Sequence, residues 1–236
     1  MLTNKTVLIT GANGGLGLAL LKEALAHNAK KIHACVRNVE NATALKALDP
    51  RVEIHSLVTT DHQSVQNLAD SISEINILIN NAGVNSEKRV FEPCRSDFET
   101  NVFGTLNMCQ AFENKIAKNG AVITITSILA LVNLPIMGLY SASKSALHSI
   151  TQALRAEFAL KQIDVYEAFP GPMDTKMSQN QHLDKAKPED IAREIWAGYK
   201  AKRFEIYPDI ASKGIKEGLL HDPEAVADEC AKSLLA

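Results

Sequence analysis

A single doubly wound α/β domain, with a parallel sheet of about seven strands and helices on both faces, is the fold this sequence predicts. Three observations carry that expectation. β-branched apolar runs alternate with helical patterns from Lys5 to Tyr207, the alternation that builds parallel sheets through helical crossovers. A glycine-rich turn, Thr10 to Gly17, joins the first run to the first helical pattern. The run beginning at Ile75 is apolar at both alternating sets of positions, as a strand covered on both faces must be. No repeat, low-complexity tract or linker divides the 236 residues. Residues 1–236 therefore read as one domain with a helical tail from about residue 209.

In order, Lys5–Thr10 (KTVLIT) is the first strand and Gly15–His27 the first helix. Strand, glycine turn and helix are the setting of a dinucleotide-binding fingerprint. Within TGANGGLG, Gly11 can take the tight turn, Gly15 lets a pyrophosphate approach the backbone, and Gly17 lets helix and strand pack closely. Phosphates would lie on the helix amino terminus, where free N–H groups and the dipole favour anions. Lys31–Val36 is the second strand, followed by Arg37 and Asn38. An acid about 20 residues past the glycines binds a ribose 2′-hydroxyl, whereas an arginine suits a 2′-phosphate. With Val36 and Arg37 at that place, the expectation is NADP(H) in preference to NAD(H).

Val52–Leu57 is a third strand and Asp61–Ser73 a helix that Asp61 can cap. Ile75–Gly83 is the central strand, closed by Asn80 and Asn81, whose amides can tie neighbouring backbones together. From Cys94 to Lys118 one long amphipathic helix is expected, with Phe98, Val102, Leu106, Cys109 and Phe112 on or near one stripe. Asn101 interrupts its propensity; its amide faces either solvent or the crevice, and the pattern favours neither.

Ala121–Thr126 is a buried strand ending at Ser127, and a hydroxyl at the carboxyl end of a parallel strand points into the crevice where α/β ligands bind. In the helix Tyr140–Leu160, Tyr140 and Lys144 are four residues apart and leave the same face. An ammonium beside the phenol is expected to pull the phenol pKa down from about 10 toward the working pH. Together Ser127, Tyr140 and Lys144 can polarise and protonate one carbonyl oxygen. Ile163–Phe169 is a further strand, closed by PGPMDT at Pro170–Thr175, a stiff loop that offers fixed backbone groups to a planar amide. Ser178–Lys187 reads as a mobile polar flap. Pro188–Lys200 is a helix opened by proline, Arg203–Tyr207 the last strand, and Asp222-Pro223-Glu224 the start of a helix running to Leu234.

Charge and cysteine usage bound the function. The net charge is −2, with 25 basic and 27 acidic residues scattered along the chain. That excludes the basic stripe of a nucleic-acid binder and the polybasic tract of a membrane-surface protein. No run reaches the ~18 apolar residues of a membrane span, and the amino terminus has no signal-peptide pattern, so a soluble cytoplasmic protein is expected. Cys35, Cys94, Cys109 and Cys230 have no CxxC spacing and the histidines do not cluster. Neither a disulfide frame nor a metal site is expected.

TGxxxGxG at Thr10–Gly17, NNAG at Asn80–Gly83, Asn101, Ser127 thirteen residues before Tyr140, YxxxK at Tyr140–Lys144 and PGxxxT at Pro170–Thr175 together resemble the short-chain dehydrogenase/reductase family. The likeness runs from about Lys5 to Tyr207, in family order and spacing. It implies a Rossmann-type domain that binds NAD(P) and interconverts a small ketone or aldehyde and its alcohol through a Ser-Tyr-Lys-Asn tetrad. By that resemblance, Tyr140 donates the proton to the carbonyl oxygen and Ser127 hydrogen-bonds the same oxygen. Lys144 binds the nicotinamide ribose and lowers the Tyr140 pKa, while Asn101 holds a water that links Lys144 to solvent. Gly11, Asn13, Gly14, Gly15, Leu16 and Gly17 would line the cofactor phosphates, with Arg37 and Asn38 on the 2′-phosphate side. Asn81, Ala82 and Gly83 would lie along the adenosine, and Pro170, Gly171, Met173 and Thr175 at the nicotinamide.

Two departures from the family pattern stand out. Val58 occupies the place of an Asp that touches adenine in many members, and the substrate loop after Thr175 is short, implying an open site. The apolar stretch Leu129–Leu139, with Pro172 and Met173, would line a pocket for a carbonyl compound with a hydrophobic body. Members of the family assemble through their two long helices, here Cys94–Lys118 and Tyr140–Leu160, so a homodimer or homotetramer is expected. The alternative is a non-catalytic NAD(P)-binding sensor or scaffold, against which the complete Ser127, Tyr140 and Lys144 set argues. The glycine spacing and the Tyr/Lys pair argue against a methyltransferase.

Overall fold

The computed structural model describes residues 2–42, 45, 47–179 and 184–235. Among the described residues there are seven strands: β1 (Thr6–Thr10), β2 (Lys31–Val36), β3 (Val52–Ser56), β4 (Ile75–Asn80), β5 (Ile116–Ile125), β6 (Asp164–Ala168) and β7 (Glu205–Ile206). The helices that concern the site are α1 (Gly15–Ala26), α2 (His62–Ser71), α3 (Gly104–Phe112), α4 (Gly138–Ala159), α5 (Pro188–Lys200), α6 (Ile210–His221) and α7 (Pro223–Ala231). The strands form one sheet in the order β3-β2-β1-β4-β5-β6-β7, every neighbouring pair parallel. Strand order reverses between β1 and β4, so their carboxyl ends diverge there and leave a crevice.

Alternation along each strand sorts the core into two layers, because successive side chains point to opposite faces. Val7, Ile9, Ile32, Ile77, Ile79 and Ile123 pack with Leu20 and Leu21 of α1 and Ile191, Ile195 and Trp196 of α5. Leu8, Cys35, Leu78, Val122 and Val165 pack on the other face with Val65 and Leu68 of α2, Met108 and Phe112 of α3 and Phe158 of α4. Local signals hold where they are strongest. Asp61 caps α2 by accepting from the Gln63 N–H at 2.9 Å, and Pro188 opens α5. Trp196 Nε1 donates to the Leu20 carbonyl at 3.1 Å, which stitches α5 to α1.

The predicted long helix from Cys94 to Lys118 is corrected. It consists of a helical turn at Ser96–Phe98, a π-helical stretch at Glu99–Phe103 and α3, which ends at Phe112. Strand β5 starts at Ile116 rather than Ala121, because Ile116 pairs with Ile75 before a register shift carries Ala121 opposite Ile77. Asn119 takes a left-handed φ of 60° at that irregularity, a conformation Asn tolerates better than most residues. The tail contains α6 as well as α7, and it has partners: α6 packs on the turn at Ile128–Ala130, and the final turn at Lys232–Leu234 on Pro135–Met137. Of the expected flap, residues 180–183 lie outside the described set. The described part holds one 3-10 turn, Lys176–Ser178, and a bridge between Met173 and Ala186.

Candidate active site

A cleft of about 880 Å³ opens at the carboxyl ends of the strands, at the strand-order reversal. One end is the glycine turn. Gly11 and Gly15 have φ of +66° and +48°, left-handed values that favour glycine. A Cβ on Gly17 would lie 2.1 Å from the Gly11 carbonyl oxygen, and one on Gly15 2.9 Å from Thr175 Cγ2. Gly17 thus brings α1 against β1, and Gly15 brings the turn against the Pro170–Thr175 loop. A Cβ on Gly14 would meet nothing within 4 Å, and no side chain caps the start of α1. The turn therefore fits a pyrophosphate: open backbone at a helix amino terminus with no carboxylate in its first turn.

Asn13, Leu16, Arg37, Asn38, Ala82, Pro170, Gly171 and Met173 line the same cleft, as do Gly11, Gly14, Gly15, Asn81, Gly83 and Thr175. Arg37 is exposed at the end of β2, and Val58, the predicted departure, lines the cleft near it. Asn38 uses its Oδ1 locally, accepting from the Glu40 N–H at 2.8 Å. Asn81 binds protein: its Nδ2 donates to the Thr10 and Gly11 carbonyls at 2.9 and 3.2 Å, locking β4 to β1 beneath the cleft. Gly83 lies against Asn101 and Lys144, with a Cβ position 3.1 Å from Asn101 Oδ1 and 3.7 Å from Lys144 Nζ. It belongs to the Tyr140 end of the cleft rather than to the Arg37 end expected of it.

At that end Ser127, Tyr140 and Lys144 converge. Ser127 stands just past β5; its Oγ accepts from the Leu129 N–H at 3.2 Å and hydrogen-bonds the Tyr140 side chain. Lys144 lies one turn along α4, with Nζ 5.8 Å from the centroid of the Tyr140 ring, and donates to the Ile125 carbonyl at 2.9 Å. Asn101 is fully buried, which rules out the solvent-facing alternative, and it stands behind the cleft wall rather than lining the cleft. Its amide accepts from the Val84 N–H and donates to the Val84 carbonyl, both at 2.9 Å, and to Ser143 Oγ at 3.0 Å. A π turn adds a residue to the helical repeat, and here that shift turns the Asn101 amide onto the loop that follows β4.

The electrostatics differ from the expectation. Burial pushes the Tyr140 hydroxyl up to about 12, against the hydrogen bond from Ser127, although part of the residue stays open to the cleft. Burial also lowers Lys144 to about 8, against the attraction of Glu167 and Asp97. The predicted depression of the Tyr140 pKa by Lys144 is therefore corrected: desolvation governs both groups, and Lys144 is itself costly to keep charged. Tyr140 keeps its proton at neutral pH, the state a proton donor requires.

Two carboxylates that sequence reasoning missed lie behind this set. Asp97 is buried and accepts from the Ser86 N–H at 2.9 Å and the Ser86 hydroxyl at 2.6 Å. Glu167 is buried near the carboxyl end of β6, where its carboxylate accepts from Thr126 Oγ1 at 2.6 Å and pairs with His148 Nδ1 at 3.0 Å. Burial raises its pKa, opposed first by the Thr126 hydrogen bond. A charged residue amid the apolar strand Ile163–Phe169 was the available signal. A second hollow, of about 530 Å³, lies around Leu2, Gly120, Ile163 and Tyr199 and includes none of the predicted site residues.

A sequence model of the short chain dehydrogenase family matches residues 5–186. The NADPH-dependent 1-acyldihydroxyacetone phosphate reductase of Saccharomyces cerevisiae is 29% identical over 197 residues, which are 76% of this chain and 64% of that protein. The NADPH-dependent 3-dehydrocapnine reductase of Ornithobacterium rhinotracheale is 31% identical over 188 residues, 72% of this chain and 66% of that one. The matched region thus spans just under two thirds of the length of either relative. A short chain dehydrogenase from Burkholderia cenocepacia J2315, crystallised in complex with NADP, superposes with a TM-score of 0.91 at 34% identity over 98% of both chains.

Proposed function

The chain belongs to the short chain dehydrogenase family and is an oxidoreductase; on that premise we propose that it reduces a ketone or aldehyde with an apolar body, using NADPH and the proton of Tyr140. One observation carries the reading: the hydrogen-bonded Ser127 and Tyr140 hydroxyls, with Lys144 beside the Tyr140 ring, share one cleft with an open glycine turn at a helix amino terminus.

Gly11, Asn13, Gly14, Gly15 and Leu16 would hold the pyrophosphate, Arg37 the 2′-phosphate, and Lys144 with Pro170, Gly171, Met173 and Thr175 the nicotinamide end. When bound, the dinucleotide supplies the hydride. Ser127 and Tyr140 line the same end of the cleft, so a carbonyl oxygen bound between their hydroxyls would receive two hydrogen bonds that strengthen as it gains negative charge. Tyr140 then gives up its proton, a step made easier by the Ser127 hydrogen bond. Asn101 holds the Val84 backbone, and through it the wall of the cleft, and would position the water that links Lys144 to solvent. Exposed apolar side chains at Val90, Phe91, Ile136 and Met177 support a substrate with a hydrophobic body; Val90 itself packs on Gly138, two residues before Tyr140.

NADPH is preferred in this reading because a guanidinium, and no carboxylate, follows β2. Both curated relatives are named NADPH-dependent, which supports the same choice. Assembly as a homodimer or homotetramer through α3 and α4 is proposed on the exposure of Phe103, just before α3, and Leu160, just past α4; a monomer by light scattering would overturn it. A cytoplasmic location is proposed on the four free thiols and is checked by cell fractionation.

The decisive experiment is Tyr140→Phe assayed for NADPH oxidation across aldehydes, ketones and quinones. Loss of general acid catalysis lowers turnover by about 10²–10⁴, with NADPH affinity retained. Turnover at the unmutated rate would remove Tyr140 as proton donor. Tight NADPH binding by the unmutated protein, with no oxidation across the panel, would favour the sensor.

A further inference from the structure

The sheet brings together three side chains that the linear sequence keeps apart. β3 is an edge strand hydrogen-bonded only to β2, with His33 opposite Glu53 and Cys35 opposite His55. Residues two apart on a strand share a face, so this register sets His33, Glu53 and His55 on one face at the open margin of the sheet. His33 Nδ1 lies 2.8 Å from His55 Nε2. The Glu53 carboxylate approaches from the outer side, with one oxygen 3.8 Å from His33 Nδ1 and the other 3.6 Å from His55 Nε2. Among the described residues, no other group of three His, Cys, Asp or Glu side chains converges in this way. The expectation that no histidines cluster is thereby corrected.

We propose that His33, Glu53 and His55 form a binding site for a divalent transition ion of the zinc class, with a water as the fourth ligand, tying the edge strand β3 to β2. The donor triangle has the right size. Zinc bonds of about 2.0–2.1 Å to nitrogen and oxygen make a tetrahedron with edges of about 3.3 Å; His33 Nδ1 to His55 Nε2 at 2.8 Å and His55 Nε2 to Glu53 Oε1 at 3.6 Å straddle that value, and one donor atom from each of the three residues lies within 4.8 Å of the others. The donor types also fit, since imidazole nitrogen suits zinc-class ions and a carboxylate completes a neutralising set. Preorganisation is favourable too: the His33 and His55 side chains are only 6% and 15% exposed, so little side-chain freedom remains to be lost on binding. Glu53, at the surface, provides the way in.

The proton accounting is simple. Without an ion, one of the two facing nitrogens carries the proton of the hydrogen bond. Binding requires both lone pairs, so that ring moves its proton to its other nitrogen and no net charge changes. The Lys31 ammonium pairs with Glu53 Oε2 and leaves Oε1 for a metal. None of His33, Glu53 and His55 lines the reductase cleft, although Cys35 and Leu57, two residues further along the chain from His33 and His55, do.

The test is titration of the chelator-treated full-length protein with Zn²⁺ against a chromogenic chelator, and with Co²⁺ read by the visible bands of a tetrahedral ion. One equivalent is expected to bind. His55→Ala, at a half-buried position compatible with folding, is expected to weaken binding at least tenfold and abolish the Co²⁺ bands, while exposed His62→Ala leaves both unchanged. A hundredfold excess of Zn²⁺ over Kd should raise the folded-to-unfolded ratio about a hundredfold in the unmutated protein and His62→Ala, but not in His55→Ala. Absence of a bound equivalent, or equal affinity in a folded His55→Ala protein, would reduce the cluster to a plain histidine–histidine hydrogen bond and overturn the proposal.

Discussion

Replacing Lys144 by Met separates the stability of the site from its chemistry. Lys144 is buried, its pKa is lowered from 10.5 to about 8, and among the described residues its hydrogen bond is to the Ile125 carbonyl. Below about pH 8 both folded and unfolded chains carry the proton, so the folded state bears the whole cost of a buried ammonium. Between about 8 and 10.5 the folded chain binds fewer protons than the unfolded one, so stability rises with pH at up to about 1.4 kcal/mol per unit. The lowering of about 2.5 units corresponds to about 3 kcal/mol. Methionine has a similar shape and no charge, but leaves the Ile125 carbonyl without this donor, at about 1 kcal/mol. Lys144→Met is thus expected to be more stable than the unmutated protein by about 2 kcal/mol at pH 7. The difference should shrink above pH 8, cross zero between about pH 9 and 10, and end slightly negative. Urea unfolding of both proteins from pH 7 to 10.5 measures it, and titrations common to the two cancel in the difference. Reductase turnover should be lost throughout. A stability difference that does not vary with pH, or a variant less stable at pH 7, would refute the account of Lys144 as a destabilising buried charge.

Other substitutions test neighbouring parts of the cleft and core. Gly17→Ala places a Cβ 2.1 Å from the Gly11 carbonyl oxygen, so the glycine turn must move; NADPH affinity, measured by fluorescence titration, should fall at least tenfold. Gly83→Ala presses on Asn101 Oδ1 at 3.1 Å and approaches Lys144 Nζ at 3.7 Å, so kcat should fall about tenfold while NADPH affinity changes little, a split seen by comparing steady-state kinetics with direct binding. Phe112→Ala empties a fully buried position between α3 and the sheet and should cost about 3–5 kcal/mol in denaturant unfolding.

Much of the molecule was legible in one dimension because the signals involved are local. Six of the seven strands are four or more apolar-rich residues bounded by polar turns, and β4 announced its burial by being apolar at both parities. The glycine spacing specified a turn whose left-handed φ values at Gly11 and Gly15 follow from backbone sterics alone. A separation of four residues places Tyr140 and Lys144 on one face of α4 from sequence spacing alone. The long helix misled because its apolar stripe continues through a π-helical stretch and past Phe112, where pairing of Ile116 with Ile75 draws the chain into the sheet; tertiary pairing outweighed helical periodicity.

Alone, the sequence determined the alternation of elements, the glycine turn and the identity of the converging side chains, since each depends on neighbours within a few residues. Only the folded sheet decided what those side chains meet. Lys144 reaches Ile125 across the strand beneath it, Asn101 turns inward onto Val84, Glu167 is sealed under Thr126, and His33 finds His55 across a parallel register. Such contacts depend on strand order and register, which are settled by the packing of the whole domain, and that packing also sets the desolvation by which Tyr140 holds its proton and Lys144 resists its charge.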